Sequence, residues 1–314
     1  MDMLSLIIPV YNEADAIPAF VERIKELRPD LLGEMGAGSS IEIVFVNDGS
    51  SDASAQIVEA FHALDPDIKL INLSRNFGKE AALSAGLQYA KGNAVVPLDV
   101  DLQDPPELIG QMIGEWRKGA HVVNARRADR SNDSFFKRST ANLFYWLMRR
   151  IADYPIHDHV GDFRLLDRQA VDVLNQLSES ARFNKGLFSW IGFQVATVEY
   201  ARPQRQAGET KWSIPKLWSL ATDAITTSTS LPLRIWTYIG AVIAFLSFAY
   251  ALFLIIHTLT TGIDVPGYAS LMVAVLMLGG LNLLSLGLMG EYVGRIATQV
   301  RGRPLFIVES TRGF

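Results

Sequence analysis

Three carboxylates lie close together in the segment AVVPLDVDLQDPPE, which covers residues 94–107. They belong to Asp99, Asp101 and Asp104, and they follow a run of apolar residues that is typical of a buried strand. Like charges at this spacing raise one another's pKa values, so the arrangement costs free energy unless a cation lies among them. An extended backbone would point Asp99 and Asp101 to one face, and Gln103 continues the same period. The cluster therefore predicts a cation-binding site.

A hard divalent cation is the ligand that such a cluster suits. Mg²⁺ or Mn²⁺ takes one or two carboxylates and fills its remaining positions with water and phosphate oxygens. We therefore predict that Asp99, Asp101 and Gln103 hold Mg²⁺ or Mn²⁺. Asp104 precedes Pro-Pro-Glu, which is typical of a residue that caps the following helix, and we predict that role for it.

The elements that position this cluster follow from the hydrophobic pattern of residues 1–125. Apolar runs alternate there with helical patterns, which predicts an α/β domain with a doubly wound, mostly parallel sheet. The predicted strands are 4–10, 41–46, 68–73, 94–98 and 121–125, and the predicted helices are 14–27, 53–64, 79–90 and 107–118. In such sheets ligands bind beyond the carboxyl ends of the strands, and these ends are rich in polar and acidic residues here. We therefore expect the functional site at that edge.

Two common nucleotide-binding motifs are missing from the strand ends. The segment after the first predicted strand, PVYNEADAIP, contains no glycine, which excludes the dinucleotide fingerprint. The segment NFGKE lacks the spacing of a phosphate-binding P-loop. Asp48 ends the second strand. It either belongs to a turn whose Asp52 caps the next helix, or it accepts hydrogen bonds from a nucleobase or a ribose.

The C-terminal third contains two long apolar segments. Residues 235–263 and 265–290 contain no Asp, Glu, Lys or Arg, and each run exceeds the ~20 residues that cross a bilayer as a helix. The connection between them lacks Lys and Arg, whereas Arg234 precedes the first run and four arginines follow the second. By the positive-inside rule, both termini are expected in the cytoplasm and the short connection outside.

Two further features concern the surroundings of the α/β domain. Residues 135–151 place aromatic and aliphatic side chains at helical spacing beside Arg and Lys, which fits an interfacial helix or an ordinary amphipathic core helix. The start of the chain lacks the charged region of a signal peptide, and the absence of cysteine agrees with a reducing compartment. We therefore expect this domain on the cytoplasmic side of the membrane.

Six segments along the chain form a recognisable set: PVYNE, VNDGSSD, NFGKEAALSAGL, DVDLQDPPE, GDFRLLDR and GEYVGRI. Together they resemble family 2 glycosyltransferases of the GT-A fold, over essentially the whole chain. More narrowly, they resemble bacterial bactoprenol (undecaprenyl-phosphate) glucosyltransferases, which are relatives of dolichol-phosphate mannose synthases. The resemblance implies a cytoplasmic GT-A domain at 1–212, with the interfacial helix at 135–151, and a juxtamembrane helix at 213–232. It further implies transmembrane helices at 233–260 and 269–290, an external loop at 261–268 and a cytoplasmic tail at 291–314.

The resemblance also implies roles for individual residues, which we state as expectations. The base and ribose of a sugar nucleotide would contact Pro9, Tyr11, Glu13 and Asp48, with Lys79 close by. The metal that bridges the diphosphate would be held by Asp99, Asp101 and Gln103. The acceptor phosphate would meet Arg126 and, nearer the membrane, Arg138. Asp162 occupies the position of the family's proposed acid/base, and Arg205 and Lys211 belong to a mobile loop that would reach the diphosphate.

The expected reaction is an inverting, metal-dependent transfer of glucose from UDP-glucose to undecaprenyl phosphate at the bacterial cytoplasmic membrane. The expected partners are the UDP-sugar donor, the polyprenyl phosphate, membrane lipid and a further copy of the chain, and no nucleic acid. Three alternatives stay open. They are another donor (UDP-GlcNAc, GDP-mannose or a UDP-4-amino-arabinose derivative), a processive polysaccharide synthase, and a non-catalytic membrane scaffold that binds nucleotide. The processive synthase is disfavoured because its Gln-x-x-Arg-Trp motif is missing.

Overall fold

The structure is a computed structural model that describes residues 2–127, 160–177, 187–188, 190–200, 231–261 and 267–314. Several of the expectations above concern residues outside these ranges. They are the roles of Arg138, Arg205 and Lys211, the helix at 135–151 and nearly all of the helix at 213–232.

An eight-stranded sheet, in the order β7-β5-β6-β4-β1-β2-β3-β8, forms the centre of the fold. Its strands are β1 Met3–Val10, β2 Ser40–Asn47, β3 Ile68–Leu73, β4 Ala94–Pro97, β5 Val122–Arg127, β6 Val160–Asp167, β7 Val195–Tyr200 and β8 Val308–Arg312. Neighbouring strands are parallel except β6, which runs antiparallel to β4 and β5, and β8, which runs antiparallel to β3. The predicted α/β fold with a mostly parallel sheet is confirmed.

Helices cover both faces of this sheet. They are α1 Ile17–Met35, α2 Ser54–Leu64, α3 Lys79–Tyr89, α4 Leu108–Arg117 and α5 Arg168–Gln176. Side chains of α1, α2 and α4 pack into one apolar cluster, and those of α3 and α5 into a second on the opposite face. In β1, Leu6 and Ile8 belong to the first cluster and Ile7 to the second. A strand buried on both faces reads as a continuous apolar run, which is why the sequence pattern located β1 so well.

Two long helices follow, α6 Leu231–Thr261 and α7 Tyr268–Val300. They cover the segments for which the sequence predicts transmembrane helices. Within the described part of the chain, no helix meets the combined requirement of length and apolar character for crossing a membrane.

The residues after α7 return to the α/β domain. The sequence pattern predicts only a tail at 291–314, whereas the structure ends α7 at Val300 and adds β8 to the free edge of β3. The backbone N–H of Ser74 donates to the carbonyl of Ile307 at 2.9 Å, directly before β8 begins. A polar five-residue strand, VESTR, carries too little apolar pattern to be recognised without its partner.

Gly86 marks the closest approach between α3 and the sheet. A Cβ atom added at this position would collide with Cγ2 of Ile7 on β1, so only hydrogen fits there. Gly114 lies in the interior of α4, and a Cβ atom added there would meet no atom within 4 Å. The two glycines therefore form a matched pair, one required by packing and one not.

We expect Gly86→Ala to lower the free energy of unfolding by about 1–3 kcal/mol, because overpacking of a closely packed core outweighs the better helix propensity of alanine. Gly114→Ala is expected to leave it unchanged or raise it by up to about 1 kcal/mol. Chemical or thermal unfolding of the full chain measures both. Equal effects of the two substitutions would contradict the close contact between α3 and β1.

Candidate active site

Lys79 lies between two of the predicted site carboxylates. Its ammonium Nζ is 2.6 Å from Oδ1 of Asp99 and 3.1 Å from Oδ2 of Asp162. Lys79 is the first residue of α3, Asp99 follows β4, and Asp162 lies near the start of β6. Because β6 runs antiparallel to β4, its beginning meets the carboxyl end of β4. The structure thus brings together three residues that the sequence separates by up to 83 positions.

The charges in this triad are strongly coupled. Burial lowers the pKa of Lys79, but the attraction of Asp99 and Asp162 and the hydrogen bonds to them outweigh it and hold that pKa above its ordinary value. Burial raises the pKa of Asp99, and the nearby charges of Asp162 and Asp101 raise it further, against the opposing effect of Lys79. One ammonium therefore neutralises the cluster only in part, and negative charge is left over for a further cation.

The triad forms one wall of a pocket at the carboxyl ends of the strands, where ligands bind in open α/β sheets. The residues that line this pocket are Pro9, Lys79, Leu83, Pro97, Leu98, Asp99, Asp104, Asp162 and Phe163. Of the residues predicted to bind a sugar nucleotide, Pro9 and Lys79 are in this lining. Tyr11 follows β1 and exposes about half of its surface, 49 %, beside the same edge.

The segment after β4 is a series of turns and not the extended strand that the prediction assumed. Leu102 adopts a left-handed conformation with a φ of 54°, which breaks the alternation of side chains. Asp101 is exposed, and its Oδ1 accepts a hydrogen bond from the backbone N–H of Gln103 at 3.0 Å. The extended backbone from which we predicted a common face for Asp99, Asp101 and Gln103 is therefore not formed. The turn instead joins Gln103 to Asp101 through this hydrogen bond.

The donor set of this turn still fits a divalent cation. Asp99 and Asp101 supply hard carboxylate oxygens, and Asp99 shares the single ammonium of Lys79 with Asp162. Within the described residues there is no group of three His, Cys, Asp or Glu side chains that could hold a metal ion. Two carboxylates without a third suit Mg²⁺ or Mn²⁺ when phosphate oxygens and water complete the coordination.

Asp104 does not occupy the N-cap position that the sequence predicts for it. Helix α4 begins later, at Leu108, and Glu107 at its N-cap position makes no side-chain capping hydrogen bond. Asp104 is instead buried at 8 % exposure, and its Oδ1 accepts a 2.6 Å hydrogen bond from the hydroxyl of Tyr200 on β7. The turn at Leu102 directs Asp104 into the fold, where it lines the pocket and ties the loop after β4 to β7.

Asp48 holds a neighbouring loop in place. Its two carboxylate oxygens accept the backbone N–H groups of Phe77 at 2.7 Å and Gly78 at 2.9 Å, the two residues before Lys79. Burial raises the pKa of Asp48, and these hydrogen bonds oppose the rise. Gly49 makes the approach possible, because a Cβ there would lie 2.5 Å from the backbone carbon of Arg75. Asp48 thus positions Lys79 by holding the backbone of the two residues before it. The sequence predicted a turn at Asp48 but not this contact with a distant loop.

The loops after β1 and β2 are also tied together. Oδ2 of Asp52 accepts the backbone N–H of Ala14 at 3.1 Å, and Oδ1 accepts both the backbone N–H and the hydroxyl of Ser54. The N-cap position of α2 is Ala53, so Asp52 lies one residue before the predicted position, and its carboxylate joins the start of α2 to the loop after β1. The hydroxyl of Ser54 in turn accepts the backbone N–H of Glu13 at 3.0 Å. Glu13 thus lies at the junction of the two loops.

Arg126 forms an ion pair with Glu199 on the parallel neighbour β7. Both side chains are about half exposed, and neither is among the residues that line the pocket. The structure therefore places the predicted acceptor-binding arginine at the correct edge of the sheet but already engaged with a carboxylate.

Arg164 and Glu80 are charged residues beside the triad in the sequence that the prediction did not single out. Arg164 lies two positions after Asp162 on β6, is 3 % exposed, and stacks its guanidinium 4.0 Å over the ring of Phe188. The pKa of Arg164 is lowered to about 10, because the effect of burial outweighs the opposing effect of the charges of Asp162 and Glu80. Glu80 follows Lys79 on α3, so the charged cluster continues behind the triad. An arginine inside the apolar strand pattern FRLL was the available signal.

Two family models match this chain, one over most of the α/β domain and one over the two long C-terminal helices. Residues 5–174 match the model of glycosyl transferase family 2, and residues 231–296 match the GtrB C-terminal hairpin. The chain belongs to glycosyl transferase family 2. It is therefore a glycosyltransferase, and its α/β domain with the mostly parallel sheet is the Rossmann-like GT-A domain of that family.

Several relatives match this family 2 glycosyltransferase over nearly its full length. The SfII prophage-derived bactoprenol glucosyl transferase of Shigella flexneri is 46% identical over 311 residues, which cover 98% of this chain and 98% of the relative. The prophage bactoprenol glucosyl transferase homolog of Escherichia coli K12 is 44% identical and covers 98% and 99%. An uncharacterized glycosyltransferase of Synechocystis sp. is 48% identical and covers 99% and 96%.

The hydrogen bond from Tyr200 to Asp104 generates a stability prediction. We expect Tyr200→Phe to lower the free energy of unfolding by about 1–3 kcal/mol, because a buried carboxylate loses a short hydrogen bond. Tyr11→Phe, which removes a hydroxyl from a half-exposed ring, is the control and is expected to change it by less than about 0.5 kcal/mol. Denaturant unfolding of both variants provides the measurement. A Tyr200→Phe variant as stable as the control would mean that Asp104 does not depend on β7.

Proposed function

We propose that this family 2 glycosyltransferase transfers glucose from UDP-glucose to undecaprenyl phosphate with inversion at the anomeric carbon. The observation that carries the proposal is the similarity to bactoprenol glucosyl transferases along the whole chain, at 44% to 46% identity. The coupled triad of Lys79, Asp99 and Asp162 at the ligand-binding edge supports it, because transfer from a nucleoside diphosphate sugar needs charged groups there.

The donor nucleotide would bind along the ends of β1 and β2. Pro9 in the pocket wall, the half-exposed ring of Tyr11 and the loop junction at Glu13 supply the surface for the base and the ribose. Asp48 would act on the donor indirectly, since its two oxygens hold the loop that presents Lys79. The ammonium of Lys79 would meet the diphosphate as that group approaches Asp99.

Mg²⁺ or Mn²⁺ would be held by Asp99 and Asp101, with Gln103 beside them. When bound, the ion supplies Lewis-acid neutralisation of the charge on the departing diphosphate. Lys79 already provides one positive charge against Asp99, so the protein and the ion would share the task of stabilising the leaving group.

The acceptor simplifies the chemistry. A phosphate monoester is largely ionised near pH 7, so its oxygen attacks without first losing a proton to a base. The bond between the anomeric carbon and the acceptor oxygen forms as the bond to the diphosphate oxygen breaks, and UDP leaves with the electron pair. Asp162 would then serve chiefly to hold Lys79 in position. The proposed phosphate-binding groups are Arg126, Arg138, Arg205 and Lys211, and of these only Arg126 lies within the described residues.

A donor panel tests the proposed reaction. Membranes that contain the full chain are incubated with undecaprenyl phosphate, Mg²⁺ or Mn²⁺, and labelled UDP-glucose, UDP-GlcNAc or GDP-mannose. We expect labelled lipid from UDP-glucose only. Asp99→Asn should lower the rate about 100-fold or more, because part of the stabilisation of the leaving diphosphate is lost.

Asp30→Asn is the matched control, since Asp30 is an exposed carboxylate on α1. It is expected to transfer glucose at the wild-type rate. Label from another donor alone would replace glucose in the proposal. No label from any donor would favour the scaffold that binds nucleotide without transfer. Full activity of Asp99→Asn would contradict the proposed role of Asp99 in holding the metal ion.

We further propose that the two apolar segments at 235–263 and 265–290 anchor the enzyme in the membrane as a hairpin, with both termini in the cytoplasm. The absence of Asp, Glu, Lys and Arg from both segments and the four arginines after the second support this topology. The acceptor is a lipid, so an anchored enzyme would meet its phosphate at the headgroup level.

Single cysteines test this topology, because the natural chain has none. An impermeant thiol reagent applied to intact bacterial cells is expected to label Asp264→Cys in the connection. Glu309→Cys, on the exposed side of β8, should react only after the cells are permeabilised. Labelling of Glu309→Cys in intact cells, or protection of Asp264→Cys, would contradict the proposed orientation.

A further inference from the structure

A series of polar side chains crosses the sheet from its C-terminal strand to the loops at the ligand-binding edge. Nδ2 of Asn72 on β3 donates to Oγ of Ser310 on β8 at 3.0 Å. Nδ2 of Asn47 on β2 donates to Oδ1 of Asn72 at 2.9 Å. The backbone N–H of Ser50, in the loop after β2, donates to Oδ1 of Asn47 at 3.0 Å. Three strands and one loop are thus connected by side-chain hydrogen bonds.

The direction of every hydrogen bond in this series follows from one group. The backbone N–H of Ser50 can only donate, so the oxygen of the Asn47 amide must face it. The amide nitrogen of Asn47 then faces Asn72 and requires the oxygen of that residue. The nitrogen of Asn72 is left for Ser310, whose hydroxyl accepts. Asn47 is 5 % exposed, so a broken member of the series would leave a buried polar group without its partner.

The series continues into the loop after β1. The hydroxyl of Ser50 accepts the backbone N–H of Asn12 at 3.0 Å, and Oδ1 of Asn12 accepts the backbone N–H of Ser51 at 2.8 Å. Asn12 adopts a left-handed conformation with a φ of 55°, which these two hydrogen bonds stabilise. It lies between Tyr11 and Glu13, the residues placed at the nucleotide end of the site.

The other end of the series belongs to the chain that follows α7. Residues 301–307 link the end of α7 to β8, and Phe306 packs against the apolar cluster beneath α3. Ser310 is therefore held by the register of β8 on β3, in which it lies opposite Asn72. Val308 of β8 packs against the same cluster, and the strand is further joined to β3 by the antiparallel hydrogen-bond ladder.

We propose that Ser310 is a positioning residue for the nucleotide donor, which acts through Asn72 and Asn47 on the loops after β1 and β2. This inference rests on the proposed function for the identity of the donor. Loops that are already ordered bind a ligand without the entropic cost of ordering them. Ser310 thus connects the strand after the C-terminal hairpin to the loops at the nucleotide end of the site through side-chain hydrogen bonds.

Two measurements on the full chain test this role. Hydrogen exchange of a peptide that covers residues 47–54 reports the protection of the Ser50 amide without any ligand. Calorimetric titration with UDP and Mg²⁺ gives the Kd for the nucleotide, and steady-state kinetics give the KM values for the donor substrate and the acceptor substrate. Ser310→Ala removes the hydroxyl that accepts the hydrogen bond from Asn72, and Ser310→Thr keeps a hydroxyl at this position. Thr311→Ala removes the adjacent hydroxyl, on the opposite face of β8, and is the control.

We expect Ser310→Ala to accelerate exchange in this peptide and to raise the Kd for UDP and the donor KM about three- to tenfold. The acceptor KM and kcat should stay at wild-type values, because the triad is untouched. Ser310→Thr and Thr311→Ala should behave as wild type in both measurements. A general loss of stability would move all of these quantities and the melting temperature together, and would overturn the proposal.

The failures of this inference and of the proposed function are distinguishable. A wild-type chain that binds no UDP and transfers no glucose would overturn the proposed donor, while the exchange measurement would still decide whether Ser310 orders the loop at residues 47–54. Unchanged exchange in Ser310→Ala, or an unchanged Kd in a chain that binds UDP, would overturn the role of Ser310 and leave the proposed transfer intact.

Discussion

The ammonium of Lys79 between Asp99 and Asp162 is the interaction on which the site depends. For this contact to form, three parts of the chain must meet at one point. They are the start of α3, the turn after β4 and the start of β6. The antiparallel insertion of β6 between β4 and β5 satisfies this requirement, because a parallel strand would have carried Asp162 to the opposite edge. The direction of β6 in the sheet therefore decides whether Asp162 can reach Lys79.

The charge balance of this cluster agrees with the proposed binding of a diphosphate and a divalent ion. The ammonium of Lys79 faces the carboxylates of both Asp99 and Asp162. Such a site would gain free energy from a further cation, and the anionic diphosphate would offset the combined charge of that cation and Lys79. Behind the triad, the buried guanidinium of Arg164 and the carboxylate of Glu80 extend the same balance into the core.

The loops around the site are joined to one another by side-chain hydrogen bonds. Asp48 holds the backbone before Lys79, Asp52 joins the loops after β1 and β2, and Asn47 connects the second of these to β3 and β8. Only short polar side chains and a glycine at position 49 permit so close an approach. The segments VNDGSSD and PVYNE therefore hold each other in position through hydrogen bonds.

The sequence by itself determined the α/β class, the first five strands and the carboxylates at their ends, because apolar alternation and strand ends are local properties. It also determined the family, through motifs spread over the whole chain. Only the tertiary structure decided that Asp104 pairs with Tyr200, that Asp48 holds a loop, and that the last residues form β8. Each of these depends on a partner distant in the sequence, and a hydrogen bond between distant residues leaves no periodic pattern in either segment.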